Sequence, residues 1–199
     1  MSLCSMPFDA TPAQPVDRVL LRGKLRAARN RFGANPDFNQ AQADLARRLV
    51  DVLHQLEPEC LGLYWPIHSE FNAVAACTAD PQLAGIDWAL PWCRRLPREM
   101  HFRAWNGATP GLVDECGIDA SDGPVVIPDV VLLPCLGFTA DGFRLGYGAG
   151  YFDRWQAANP QVTAVGVAWS LGLLDAGEFV AEPHDQPLLM VVTERAVIG

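Results

Sequence analysis

The run Val130-Val-Leu-Leu-Pro-Cys-Leu136 is apolar at every position. A strand with one wet face alternates polar and apolar residues, so a run without alternation needs cover on both sides. That is the environment of a central strand in a parallel sheet lying between layers of helices. The rest of the pattern agrees. Cys60–Trp65 is a short apolar stretch stopped by Pro66, and Phe71–Thr78 reads as the helix that follows it. Further strands are expected at Ile86–Leu90, Met100–Trp105, Val162–Trp169 and Leu188–Thr193, with a helix over Gly150–Ala158. Strands alternating with helices predict an α/β fold: one three-layer domain over residues 16–199, with a mostly parallel central sheet flanked by helices, after a flexible segment 1–15. In such sheets ligands bind beyond the carboxyl ends of the strands.

Two helices are expected before the first strand. In Val16–Phe32, Val19, Leu20, Gly23 and Ala27 mark one face, and Arg22, Arg26 and Arg29 recur at i, i+4, i+7 on another. Three guanidinium groups projecting the same way either form a solvated face or meet a phosphate, whose oxygens match the guanidinium fork. The second helix, Asp37–Leu56, carries Leu45, Leu49, Val52, Leu53 and Leu56 on its apolar side. Asn106–Gly111 and Asp119–Pro128, rich in Pro and Gly, read as surface loops.

Charge narrows the range of partners. The net charge of −8 is unevenly spread: residues 1–50 carry eight basic against four acidic side chains, and the remaining 149 carry seven against nineteen. A globally acidic surface repels a nucleic-acid backbone, which argues against general nucleic-acid binding. No apolar run reaches the roughly 18–20 residues that a membrane span needs. Met1–Pro15 has no basic segment followed by an apolar one, so a cytoplasmic protein is expected. The six cysteines are scattered without a CxxC pair or metal-ligand spacing, so they read as reduced core residues.

The most informative segment follows the apolar run. In Arg144-Leu-Gly-Tyr-Gly-Ala-Gly-Tyr-Phe-Asp-Arg154 the glycines alternate, so the backbone can approach an anion and present successive N–H groups to it. The helix starting near Gly150 aims its positive end at the same place. A plain structural turn is the alternative. The segment is not a Walker A loop, which needs Gly-Lys-Ser/Thr, and the only lysine is Lys24. Nor is it the dinucleotide fingerprint, because the glycines fall as GxGxG. Arginines bracket the glycines, and Asp153 on the first helical turn is placed to hold Mg²⁺ against phosphate oxygens.

Arg144–Arg154 closely resembles the signature of the 5-formyltetrahydrofolate cyclo-ligase family, also called 5,10-methenyltetrahydrofolate synthetases. Arg22-Gly-Lys-Leu-Arg26 with Arg29, Tyr64-Trp-Pro-Ile-His-Ser-Glu70, Leu90-Pro91, Met100-His-Phe102, and Pro183-His-Asp185 through Val191-Val-Thr193 resemble other family segments in the right order. The fold this implies is Rossmann-like, similar to sugar-phosphate isomerases and CoA-transferases. The resemblance implies a monomeric or weakly self-associating enzyme that uses ATP and Mg²⁺ to close the formyl group of a reduced folate into the 5,10-methenyl ring. By resemblance, Arg22, Lys24, Arg26, Arg144, Gly146, Tyr147, Gly148, Ala149, Gly150, Tyr151 and Phe152 hold ATP, and Asp153 and Asp185 bind Mg²⁺. Trp65, Glu70, Tyr147, Gly148 and Tyr151 contact the folate, with Glu70, Arg144 and Tyr151 catalytic. Read alone, Trp65 is equally a core residue, Glu70 a helix-start carboxylate and Asp185 a turn former. The chain departs from the family pattern at Ala73, Ala120, Ser121, Thr139 and Gly172. These are expected on the substrate side, which leaves open a non-catalytic nucleotide- and pterin-binding module or a different substrate.

Overall fold

The computed structural model describes residues 17–199; the segment 1–15 lies outside them. In chain order the elements are α1 (Arg18–Gly33), α2 (Phe38–Leu56), β1 (Cys60–Gly62), α3 (Ala73–Thr78), β2 (Asp87–Arg94), β3 (Glu99–Trp105), β4 (Leu112–Val113) and β5 (Asp119–Ala120). There follow β6 (Val125–Val126), β7 (Val130–Pro134), β8 (Gly137–Phe138), β9 (Arg144–Leu145), α4 (Tyr151–Ala158), β10 (Thr163–Val167), β11 (Met190–Val192) and β12 (Val197–Ile198).

Eight strands form one sheet in the order β12-β11-β10-β7-β1-β2-β3-β6. The five from β11 to β2 are mutually parallel, β12 at one edge and β3 on the other side run antiparallel to them, and β6 at the far edge pairs antiparallel with β3. The apolar run is β7, buried at all five positions between β1 and β10. Its residues alternate between two cores. Val130 and Leu132 pack with Leu45, Leu49 and Leu53 of α2 and Cys77 of α3. Val131 and Leu133 pack with Phe102 and with Trp155 of α4 on the other face. The three layers are therefore α2 and α3, the sheet, and α4, as the unbroken run requires. Leu132→Ala, which opens a cavity at a fully buried position, is expected to lower the unfolding free energy by about 2–5 kcal/mol in a denaturant melt.

Several expectations are corrected. β2 runs past Leu90 to Arg94 and includes Pro91. It pairs with β1 only as far as Ala89, so beyond that point one of its edges is free and proline removes no ladder bond there. The loop expected at Asp119–Pro128 contains β5 and β6, and the glycine-rich region contains the hairpin β8–β9, two-residue strands too short to show a period. Among the described residues no helix is long and apolar enough to cross a membrane.

The largest correction concerns α1. It starts where expected, because the Asp17 carboxylate accepts the N–H groups of Val19 and Leu20. Its inward face, however, is a different one. Val19 and Leu20 are 76% and 58% exposed, and Leu25 and Arg29 are buried. Leu25 packs on Leu136, Leu145, Leu174 and Phe179, which seats the helix over the β8–β9 hairpin. Leu21 joins the same cluster and Phe32 meets Phe38 and Trp169, so α1 still buries an apolar stripe, beside which Arg22 and Arg29 donate to the Gly146 carbonyl and the Tyr147 hydroxyl.

Candidate active site

A cavity of about 280 Å³ opens at the carboxyl ends of β1, β2 and β7, where Tyr64, Trp65, Pro91 and Pro134 form its floor. α1 walls one side through Arg18 and Arg22, and the glycine segment walls another from Arg144 to Asp153. Of the residues expected at the site, Arg22, Trp65, Glu70, Arg144, Gly146 to Asp153 and Asp185 all line this one space. Lys24 and Arg26 do not line it; both are exposed on α1.

The glycine segment is an amide-lined rim. From Gly146 through Asp153 the backbone N–H groups find no acceptor among the described residues. Gly148 and Gly150 have φ of +95° and +66°, the left-handed region, which turns consecutive peptides so that their N–H groups converge. α4 begins at Gly150 without a side-chain cap, leaving its first-turn donors and positive dipole end free. A Cβ on Gly148 would meet Arg22 Cζ at 3.0 Å. Gly148→Ala is therefore expected to strain the loop and raise the KM for the anionic ligand about tenfold or more in steady-state kinetics, the positive φ alone costing about 1 kcal/mol.

The guanidinium groups converge on the same rim. Arg22 Nε donates to the Gly146 carbonyl at 2.8 Å. Arg29 donates to the Tyr147 hydroxyl, and Arg26 lies 5.8 Å over the ring of Tyr147. Arg144 is buried beneath the loop and donates to Asp153 Oδ1 at 2.8 Å; its Nε is buried with no partner. A buried unpaired guanidinium N–H is costly to leave unmade, so it marks a place where an acceptor oxygen belongs. Arg22→Ala is expected to raise the KM for the anionic ligand by about tenfold to a hundredfold, the loss of one charged hydrogen bond. Arg26→Ala, exposed and off the cavity, is expected to change it less than about threefold.

Two carboxylates face the guanidinium groups. Asp153, on the first turn of α4, gives one oxygen to Arg144 and keeps the other free of protein donors among the described residues. Asp185 is held by Arg18 at 2.7 Å and by the N–H of Glu182 at 2.8 Å. Burial works against its charge, but those hydrogen bonds and the Arg18 charge prevail and hold it below the usual aspartate range. Mg²⁺ is bound through one or two carboxylates plus phosphate oxygens and waters, and Asp153 and Asp185 at the rim of an amide-lined cavity fit that donor set. Asp185 must loosen from Arg18 to contribute.

At the other end, Glu70 Oε2 accepts the N–H of Ile67 at 2.9 Å, and Oε1 is buried with no partner. Burial raises its carboxyl, opposed by the Ile67 N–H, the Tyr147 hydroxyl and Arg29. Trp65 is half-buried, edge-on to Trp105 at 6.2 Å, with the cavity beside it. Tyr151 donates to the Arg94 carbonyl at 3.0 Å and accepts from Cys116 at 3.3 Å; that thiol contact, then burial, pushes its phenol up to about 12.

Sequence reasoning missed Arg18, although it lies four residues before Arg22 and extends the same stripe. It also missed Cys93, Asp114 and Cys116, which line the cavity together. The five described cysteines are free and three are buried, as expected, but the expectation of no metal-ligand cluster fails in space: these three residues place their ligand atoms within 4.8 Å of one another. No spacing reveals this, because two separate strand ends supply them. Nor do the departures from the family pattern line this cavity. Ala73 and Ala120 are core residues, Ser121 and Thr139 hold turns, and Gly172 packs on the Leu136 carbonyl; none lines the cavity.

Fold and cavity define a class: an α/β protein whose cleft, beyond its parallel strands, is chemically suited to a small anionic ligand and a carboxylate-held cation. Comparison with known proteins narrows this. The chain belongs to the 5-formyltetrahydrofolate cyclo-ligase family, whose model matches residues 14–194. It is 44% identical over 191 residues to the 5-formyltetrahydrofolate cyclo-ligase of Mycolicibacterium smegmatis, covering 87% of this chain and 94% of that one. It is 36% identical over 68 residues to the cyclo-ligase of Mycoplasma pneumoniae, a match spanning 34% of this chain and 40% of that enzyme's length. Its fold is similar to a 5,10-methenyltetrahydrofolate synthetase structure from Mycoplasma pneumoniae, with a TM-score of 0.72 at 22% identity over 90% of this chain and 99% of that one. The synthetase from Aquifex aeolicus gives 0.71, also at 22% identity, over 91% of both chains.

Proposed function

We propose that this chain is an ATP- and Mg²⁺-dependent cyclo-ligase that converts 5-formyltetrahydrofolate to 5,10-methenyltetrahydrofolate, releasing ADP and phosphate. The observation that carries this reading is the unbroken row of unpaired N–H groups from Gly146 to Asp153, bracketed by Arg22 and Arg144, opening on the same cavity as Glu70 and Trp65. A row of free amides with guanidinium groups behind it is a phosphate site; a buried carboxylate beside a tryptophan is a site for a flat heterocycle with N–H donors.

The chemistry explains the division of labour. A formamide oxygen is a poor leaving group. Bound ATP supplies a phosphoryl group that makes it a good one, after which the neighbouring folate nitrogen attacks the formyl carbon and phosphate departs. No protein nucleophile is required, and positioning and charge neutralisation carry the rate. Arg22, the amide row and the α4 terminus hold the phosphates. Arg144 braces Asp153 and brings its spare N–H beside them. Asp153 and Asp185 would hold Mg²⁺, whose charge offsets that of the phosphates. Glu70 accepts from the heterocycle, and Trp65 and Tyr147 flank it.

The non-catalytic alternative rested on the five departures, and their places away from the cavity remove its support. Purified protein mixed with 5-formyltetrahydrofolate, ATP and Mg²⁺ is expected to develop the near-ultraviolet absorbance of the methenyl product. Omission of either ATP or Mg²⁺ should abolish the signal. Nucleotide binding without any absorbance change would overturn the assignment and leave a binding module.

A further inference from the structure

The cavity wall holds a group that the proposed reaction does not use. Cys93 is the last residue but one of β2, and Asp114 and Cys116 lie in the tight turn between β4 and β5. That turn is locked: Asp114 N–H donates to the Ile118 carbonyl at 2.8 Å, Gly117 N–H to the Asp114 carbonyl at 3.0 Å, and Glu115 N–H to the Cys93 carbonyl at 3.2 Å. Two thiols and a carboxylate are thereby brought within 4.8 Å of one another, two of the three residues buried. Ligands of one tetrahedral ion with Zn–S bonds of about 2.3 Å and Zn–O bonds of about 2.0–2.2 Å stand roughly 3.3–3.8 Å apart, a separation that small side-chain rotations of the two cysteines can reach from here.

The hydrogen-bond inventory of Asp114 leaves a position to fill. Its Oδ1 accepts two N–H groups, from Cys116 at 2.8 Å and Ile118 at 3.0 Å, which uses both lone pairs. Its Oδ2 accepts the N–H of Cys93 at 3.1 Å, and its remaining lone pair faces the Cys93 thiol, whose proton an incoming cation would replace. The carboxylate is fixed by three backbone donors and cannot turn away, so its geometry is set before any ion arrives. Cys116 Sγ faces the cavity beside the Tyr151 hydroxyl, on the side from which a fourth ligand, water, can enter.

We propose that Cys93, Asp114 and Cys116 form a site for a soft divalent cation, Zn²⁺ or its analogue Cd²⁺, in the wall of the cavity. Two sulfurs and one oxygen select such an ion over Mg²⁺, which prefers an all-oxygen shell. Binding converts both thiols to thiolates and releases two protons to solvent. With its proton released, Cys116 Sγ would no longer donate to the Tyr151 hydroxyl, so the ion's presence would change the wall against which a ligand lies. The site is distinct from the carboxylates at the glycine rim, and neither folate nor nucleotide is needed to form it.

The test uses the intact, reduced protein and Cd²⁺ alone. Titration is expected to produce the ultraviolet thiolate-to-cadmium charge-transfer band, saturating at one ion per chain, with excess Zn²⁺ displacing it. Cys116→Ser, at a half-buried position, should weaken Cd²⁺ binding at least about tenfold and shrink the band, while Cys60→Ser and Cys4→Ser leave both unchanged. Circular dichroism of each variant verifies the fold. Absence of the band in the parent protein overturns the proposal, as does a band that survives Cys116→Ser at full amplitude or follows Cys60 or Cys4. Because no substrate is present, failure here leaves the cyclo-ligase reading untouched.

Discussion

Asp153→Asn is expected to yield a folded protein whose ATP-dependent turnover falls by at least about a hundredfold. An amide is a far poorer ligand for Mg²⁺ than a carboxylate, and loss of even a supporting contact at a metal site costs about tenfold to a hundredfold. The fold survives because the Asn Oδ1 still accepts from Arg144 Nη2, the contact that Asp153 Oδ1 makes at 2.8 Å. The variant therefore separates metal chemistry from structure. Its circular dichroism and denaturant midpoint should stay near those of the parent, and raising Mg²⁺ should recover part of the lost rate. Near-normal turnover at low Mg²⁺ would remove Asp153 from the metal site.

Glu70→Gln should divide activity from stability in the opposite sense. The folate KM is expected to rise by about tenfold to a hundredfold, the fold-change equivalent to one charged hydrogen bond, with little change in the KM for ATP. Stability should not follow. Burial raises the folded pKa of Glu70 above its ordinary value, so this residue favours folding while protonated and opposes it as the pH rises through its folded pKa. Once ionised, the buried carboxylate carries that penalty, which the neutral amide does not. Glu70→Gln is therefore expected to melt no lower than the parent near pH 7, and a midpoint clearly below the parent's would show that the carboxylate supports the fold instead. Asp185 has the reverse dependence. Its folded pKa lies below the unfolded value, so its contribution is present above about pH 4 and is lost as pH falls.

The sequence pattern made the central sheet and the glycine rim legible because both rest on local rules. An unbroken apolar run needs helices on both faces, and β7 has them. Alternating glycines before a helix free its amides, and the row from Gly146 to Asp153 has no acceptor among the described residues. The rest depended on what lies across the chain. Periodicity assigned the wrong inward face to α1: Leu21, Leu25 and Phe32 pack inward instead of Val19 and Leu20, and Arg22 and Arg29 beside them reach a carbonyl and a tyrosine hydroxyl that the distant glycine segment supplies. The two-residue strands β4, β5, β6, β8 and β9 have no period to detect.

By itself the sequence determined the layer architecture, the glycine loop that opens on the cavity and the kinship of the chain, since each is written in consecutive residues or fixed spacings. Only the tertiary structure decided which arginines reach the cavity, that Lys24 and Arg26 do not, that Arg18 holds Asp185, and that Cys93, Asp114 and Cys116 meet. The physical reason is range: backbone preferences and amphipathic periods act over a few residues, whereas burial and ion pairing join positions such as Arg18 and Asp185 that are 167 residues apart.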